Sequence, residues 1–228
     1  MEKRAGVDAV VRALDILKAF GQGRSAMTLT EIANHTGLYK STVLRLAASL
    51  EECGFLERGA DLVYRPGHEL WRLGALYSRR LDIAELIRPA LEVLVEKTGE
   101  TASYYIRDGE ERVCLYRKNS PRAVRHHLDE GIRLPIHNGA AGRILCAYSE
   151  PWPADGELLR RQRYCISLGE RDPEVGAVAV PVIDLSGQLR GALSVSAILT
   201  RFDKAAQDRA LDALKLAADQ LSKLSTLA

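Results

Sequence analysis

The sequence predicts an α+β protein in two parts: a small N-terminal helical domain closed by a β-hairpin, then a larger antiparallel sheet carrying helices. Three observations predict it. Up to Cys53 the apolar residues recur at i, i+3 and i+4, the spacing of helices packed by one face. FLER and LVYR, on either side of Gly59-Ala60-Asp61, then look like two short strands around a turn. Beyond Thr101 the texture becomes β-rich, with Asp108-Gly109 and Ser186-Gly187 as turns inside two long hairpins.

At 228 residues two domains are expected, and 46% hydrophobic content is ordinary for a globular chain. The formal net charge is only +2, yet residues 1–80 hold 12 Lys and Arg against 9 Asp and Glu, an excess of the sign that attracts phosphate. Cys53, Cys114, Cys146 and Cys165 are widely spaced with no C-x-x-C pair, which argues against a disulfide scaffold and a structural zinc site. The N-terminus has no apolar signal-peptide core and no run of about 18 apolar residues occurs. A cytoplasmic protein with no membrane partner is expected.

Val10, Ala13, Leu14 and Leu17 space a first helix that ends near Gly21 and Gly23. Thr28 with Glu31 forms the reciprocal cap of a second, whose apolar face is Leu29, Ile32 and Ala33. His35, Thr36 and Gly37 end it in a sharp turn, and a third helix buries Val43, Leu46, Ala47 and Leu50. Lys40, Ser41, Thr42 and Arg45 are left together on the outside of that helix. An α-helix fits the DNA major groove, where arginine binds guanine edges, hydroxyls bond several edges and lysine neutralises phosphate. Thr28, at the start of the helix pair, joins these four as a candidate DNA contact. The plainer alternative is an αα-hairpin with a solvated polar face.

Gly54 stops the third helix, and the hairpin after it completes a winged helix-turn-helix. Arg58 and Arg65 are placed on this wing to reach phosphates or a minor groove; two solvated strand arginines are the alternative. Leu70, Leu73, Gly74, Tyr77 and Leu81 mark a helix face in HELWRLGALYSRRL. Trp71 and Leu76 lie off it, so a second surface is available to another subunit or to a neighbouring domain. Pro89 starts or kinks a helix through Leu91, Leu94 and Val95 to Gly99. RLPIH adds a strand, a helix begins at Asn138 to Gly142, and a last helix, capped by Asp203, carries Leu211, Leu214, Leu221 and Leu224. The expected organisation is 1–66 as the winged domain, 67–82 as a linker helix and 83–228 as the second domain.

RALDILKAF, LTEIANHTGLYKSTVLRLAASLEECGFLER, the TGET of Thr98 to Thr101, LPIHNGAAGRIL, the segment Glu170 to Asp184 and GALSVS together resemble the isocitrate-lyase-regulator (IclR) family of bacterial transcription regulators, nearly from end to end. The resemblance implies a winged-helix DNA-binding domain joined by a helix to an effector-binding domain of GAF-like fold. It also implies assembly as a homodimer or dimer of dimers, palindromic double-stranded DNA operators and small organic acids as effectors. By position it puts the ligand pocket on Leu134, Ala140, Ala141, Ser167, Ala177, Ser194 and Ser196, with His126 as a wall residue. This sequence departs from the family pattern at Arg163 (glycine), Ile183 (aromatic), Ala177 (cysteine), Ser167 (acid) and Arg143 (lysine). The segment between Leu145 and Tyr164 is short, so the pocket lid is expected to be reduced, disordered or absent.

An anion fits that place on physical grounds. The Gly139-Ala-Ala-Gly142 turn opens a helix, whose free N–H groups and positive dipole end would face the pocket. Ser194 and Ser196 lie two apart on a strand and so share a face. A tight helix entry and two serines bonded to their own backbone are the alternative. The resulting expectation is a ligand-responsive transcription regulator with no catalytic activity, cofactor or metal. Two rivals are weaker. A hydrolase would need a nucleophile elbow, and no G-x-S-x-G occurs. A metal sensor could use His126, His127 and His137, but adjacent histidines on a strand point to opposite faces.

Overall fold

The computed structural model describes residues 7–21, 24–81 and 83–224, with the side chains of 77–81, 83, 223 and 224 outside the description. It divides into two compact units, Met1–Arg80 and Leu81–Ala228.

In the first unit α1 (Asp8–Lys18), α2 (Leu29–Thr36) and α3 (Lys40–Glu52) share one apolar cluster. Its centre is Ile16, Ile32, Val43, Ala47 and Leu56. The capping box forms as the sequence predicts: Thr28 Oγ1 accepts from the Glu31 amide, and Glu31 Oε2 accepts from the Thr28 amide at 2.7 Å. Gly37 then takes a left-handed φ of 67°, and three residues later, at Lys40, α3 begins. The face of α1 is corrected. Val10 and Leu14 are 55% and 48% exposed, while Ile16 is fully buried with Ala13, Leu17 and Phe20 packed around it. The true stripe, Ala13, Ile16, Leu17 and Phe20, is offset by about one turn edge from the expected one, because the α2–α3 pair selects the bulkier ridge. Gly23 lies outside the described residues.

The wing is β2 (Leu56–Arg58) and β3 (Val63–Pro66), and a two-residue strand β1 (Met27–Thr28) adds to the other edge of β3. Two residues are too short for a periodic signal, so β1 had no counterpart in the sequence. The expected turn over Gly59 to Asp61 also takes in Leu62, whose φ of 61° is unusual for a leucine. Helix α4 (His68–Leu81) closes the unit, with Trp71 at 78% exposure and Leu73 and Leu76 also exposed. The side chains of Tyr77 and Leu81 lie outside the described ones.

The second unit begins with α5 (Ile83–Thr98), followed by β4 (Thr101–Asp108), β5 (Glu111–Lys118) and β6 (Arg133–Pro135). Next come α6 (Ala140–Ala147), α7 (Gly156–Gln162), β7 (Cys165–Leu168), β8 (Val175–Ile183), β9 (Leu189–Ile198) and α8 (Lys204–Leu224). Six strands form one antiparallel sheet in the order β6-β5-β4-β9-β8-β7. Tyr104, Val178, Val180, Leu193 and Val195 on one face pack with Ile87, Leu91 and Leu94 of α5 and Ala210 and Leu214 of α8. Tyr105, Ala179 and Ala192 on the other face pack with Ile144, Leu145 and Leu159 of α6 and α7.

Pro89 lies inside α5 and does not start it. The first hairpin turns one residue later than expected, since Asp108 pairs with Glu111 and leaves Gly109 and Glu110 as the loop. Asp203 caps α8 by accepting from the Ala206 amide at 2.8 Å. Its buried face is richer in alanine than the leucine pattern suggests, running through Ala210, Leu214, Ala217 and Leu221, with Leu211 half-buried and the Leu224 side chain outside the description.

Candidate functional site

Two surfaces carry the candidate residues, one in each unit. On α3, Lys40, Ser41 and Arg45 are exposed and Thr42 is half-buried, while Val43, Leu46 and Ala47 hold the helix down. No side chain caps α3, so its first amides and the positive end of its dipole stay open toward an anion. Tyr39, the residue before α3, is 85% exposed. Sequence patterning missed it because an isolated exposed tyrosine has no period, and its place directly before Lys40 adds it to the candidate DNA contacts.

The wing arginines differ. Arg58 lies over the Tyr64 ring at 5.2 Å and is exposed. Arg65 gives its guanidinium to Asp61, with Nη2 2.7 Å from Oδ2, which corrects its expected freedom. That bond holds the Asp61 carboxyl down at about 2. Thr28 likewise uses its hydroxyl in the capping box.

In the second unit a cavity with an empty volume of about 420 Å³, including its mouth, opens on the α6 face of the sheet. It gathers His126, Ala140, Ala141, Ser167, Ala177, Ser194 and Ser196 of the expected pocket. Leu134 is not brought there: on β6 it packs against the apolar cluster around Ile136. Ser103, Ser194 and Ser196 share the cavity face because β4 and β9 pair Ser103 with Ser194. His126 comes from the loop between β5 and β6, not from a strand. His127 pairs with Asp129 at 3.4 Å, and among the described residues no group of three or more His, Cys, Asp and Glu is gathered to hold a metal.

The cavity also holds residues that the sequence reading missed: Arg112, Arg171 and Asp172. Arg112 is only 4% exposed, lies over the Tyr105 ring at 5.4 Å and donates to the Asn138 carbonyl. Its Nε has no hydrogen-bond partner, and among the described residues it has no ion pair. Burial lowers its pKa from the usual arginine range, and Arg171 adds like charge. A signal existed. Arg112 and Cys114 are two apart on β5 and therefore share a buried face, an unusual place for a cation. Beyond them a bulge in the β4–β5 pairing shifts the register, so Tyr116 turns to the α5–α8 face and Arg117 reaches Ser103 at 3.2 Å.

His126 is held from three sides. Arg171 Nη2 lies 2.6 Å from Nε2, Ser196 Oγ 3.3 Å from Nδ1, and Arg117 donates to the His126 carbonyl at 2.6 Å. Burial first, then Arg117 and Arg171, push the imidazole down to about 4.

At the entry to α6 the expected free amides are partly used. Gly139 N–H donates to Glu170 Oε2 at 3.3 Å, and Glu170 also pairs with Arg143 at 3.0 Å. A β-carbon at Gly142 would run into the Ile136 carbonyl and the Arg112 guanidinium, which explains the second glycine of the turn. The short segment after α6 is not missing. It forms α7, which packs on α6 and contributes no residue to the cavity lining.

A helix offered to solvent by its polar end, in one chain with a separate unit that encloses a polar cavity, is the division of labour of a DNA-binding regulator with a sensing domain. Residues 9–60 match the model of the IclR helix-turn-helix domain, and residues 75–155 and 157–223 match that of the bacterial transcriptional regulator IclR C-terminal domain. The chain belongs to the IclR family of bacterial transcription regulators.

It is 30% identical to the HTH-type transcriptional regulator BhcR of Paracoccus denitrificans, over 97% of this chain and 88% of that one. The crystal structure of an IclR transcriptional regulator from Alicyclobacillus acidocaldarius superposes with a TM-score of 0.81 at 26% identity, covering 95% of this chain and 98% of that one. An IclR homolog of Microbacterium hydrocarbonoxydans complexed with 4-hydroxybenzoate has the same fold, with a TM-score of 0.80 at 24% identity over 96% of this chain and 100% of that one. Among the described residues no helix is long and apolar enough to cross a membrane.

Proposed function

We propose that the chain is a cytoplasmic, ligand-responsive regulator that binds a double-stranded DNA operator and senses a small organic acid. Lys40, Ser41, Thr42 and Arg45 enter the major groove, with Tyr39, Thr28 and the wing arginines at the phosphates. Helix α4 links the two activities. Its exposed Trp71, Leu73 and Leu76 favour assembly as a homodimer or dimer of dimers.

The observation that carries the sensing half is the cavity: serine hydroxyls on its floor and guanidinium groups without acidic partners around it suit a carboxylate. An acid of this kind, as in the 4-hydroxybenzoate complex of the Microbacterium homolog, would compete with Glu170 for the Gly139 amide. Arg143 joins Glu170 to Asp155 beside α7, so that exchange would be felt by both helices of this face. Ligand binding then shifts the population of subunit arrangements, with a coupling energy of about 1–3 kcal/mol.

Fluorescence anisotropy of the chain on the DNA upstream of its own coding region, against scrambled DNA across a salt series, tests the reading. Preference of about a thousandfold for the native fragment, and its release by organic acids, is the expected outcome. Equal, salt-labile binding to both DNAs with and without acids would reject it.

A further inference from the structure

The cavity offers more guanidinium groups than one carboxylate would occupy. Arg112 and Arg171 both line it, and neither has an acidic partner among the described residues. Asp172 supplies one negative charge to the lining, and its Oδ1 already accepts from the Glu174 amide at 3.1 Å. Arg117 adds a third guanidinium from behind His126, bonded to Ser103, Asn119 and the His126 carbonyl but to no carboxylate side chain. Glu170, nearby at Gly139, shares Arg143 with Asp155 and leaves the lining arginines to themselves. One bound carboxylate occupies one of the two lining guanidinium groups, and a second carboxylate occupies the other.

Geometry separates the two lining arginines. Arg112 is buried beside the first turn of α6, its Nη1 committed to Asn138 and its Nε unpartnered, so the Nε side of the guanidinium lacks an acceptor. Arg171 starts from the other side of Gly139 and reaches across to His126 Nε2, half-buried. The serines of β7 and β9 lie on the floor of the same cavity.

Resting on the acid-sensing reading above, we propose that the ligand is a small dicarboxylate, one carboxylate held by Arg112 and the other by Arg171. Each guanidinium offers a charge-assisted fork to one end, while Ser194 and Ser196 bond the oxygens or the spacer between. Arg112 and Arg171 thus become ligand-selecting residues.

The test is isothermal titration calorimetry of the full chain with matched pairs: succinate and butyrate, glutarate and valerate, terephthalate and 4-methylbenzoate. A diacid is expected to bind at least about tenfold more tightly than its matched monoacid. Arg171→Met, on a half-buried loop, should bring diacid affinity down to the level of its matched monoacid. Arg112→Met should weaken both, with circular dichroism confirming the fold. Equal affinity of a matched pair in the parent, unmoved by Arg171→Met, would overturn the dicarboxylate proposal and leave acid sensing in place. No heat from any acid up to about 10 mM, with operator binding intact, would overturn acid sensing itself; that limit marks an affinity weaker than about 3 kcal/mol.

Discussion

His126 Nε2 and Arg171 Nη2 stand 2.6 Å apart, and since arginine can only donate, that ring nitrogen must be the acceptor. The ring proton of the neutral imidazole is then on Nδ1, directed to Ser196 Oγ at 3.3 Å, while Arg117 Nη2, 3.5 Å from that nitrogen, donates instead to the His126 carbonyl at 2.6 Å. Burial, Arg117 and Arg171 hold the pKa at about 4 instead of 6.5, against the weaker pull of Asp172. The unfolded chain therefore takes up a proton between these values that the folded chain refuses. Stability contributed by the neutral ring is complete above about 6.5 and is lost as the pH falls toward 4. Urea unfolding of the parent should weaken across that window by on the order of 2 kcal/mol more than unfolding of His126→Gln. Parallel curves for the two proteins would show that this ring is not held neutral.

Gly142 is fixed by sterics. A methyl group there meets the Ile136 carbonyl and the Arg112 guanidinium, both held by the β5–α6 packing. Gly142→Ala should cost about 1–3 kcal/mol in chemical denaturation, although alanine is the better helix former. Ala141→Gly, one residue earlier, should cost about 1 kcal/mol from backbone freedom alone. The reverse ranking would mean that α6 can shift to admit the methyl group.

These two sites show what the sequence could and could not reveal. The capping box at Thr28 and Glu31, the buried stripe of α3 and the paired strands around Ser194 follow local periods and turn chemistry, and all three were legible. The face of α1 was not, because Leu14 and Ile16 are equally apolar and only the packed helices choose between them. The cavity was legible where it sits on α6 and β9. Its cations were not, since Arg171 arrives on a loop and the Arg117 position depends on a bulge that breaks the alternation. Leu134 failed for a different reason: it pairs with Arg112 and shares the cavity face, but on the edge strand β6 it packs into the apolar cluster beside the cavity, a position along the sheet that one three-residue strand does not encode.

On the wing, Asp61 holds Arg65, the arginine proposed to reach a DNA phosphate. The pair is solvent-exposed, so its own contribution to folding is small. Its larger effect is on charge, because a bound carboxylate both occupies the arginine and repels phosphate. Asp61→Asn should therefore raise DNA affinity severalfold at low salt and steepen the salt dependence by about one counterion. Arg65→Ala in the Asp61→Asn background should remove the gain. An affinity that Asp61→Asn leaves unchanged would place this wing away from the phosphates.

Arg45 provides the sharpest separation between the two units. It is exposed on α3, and no ion pair to it is found among the described residues, so its removal should leave the apolar cluster of Ile16, Ile32 and Val43 intact. If it reads a base edge, Arg45→Ala costs about 1–3 kcal/mol for the native operator and little for scrambled DNA. If it contacts only phosphate, both DNAs lose affinity alike and the salt slope falls by about one. Acid binding measured by calorimetry should be unchanged in either case, because the cavity is built wholly from residues of the second unit. Loss of acid binding in Arg45→Ala would mean that the exposed arginine supports the fold, and the assignment of α3 as the reading helix would then fall.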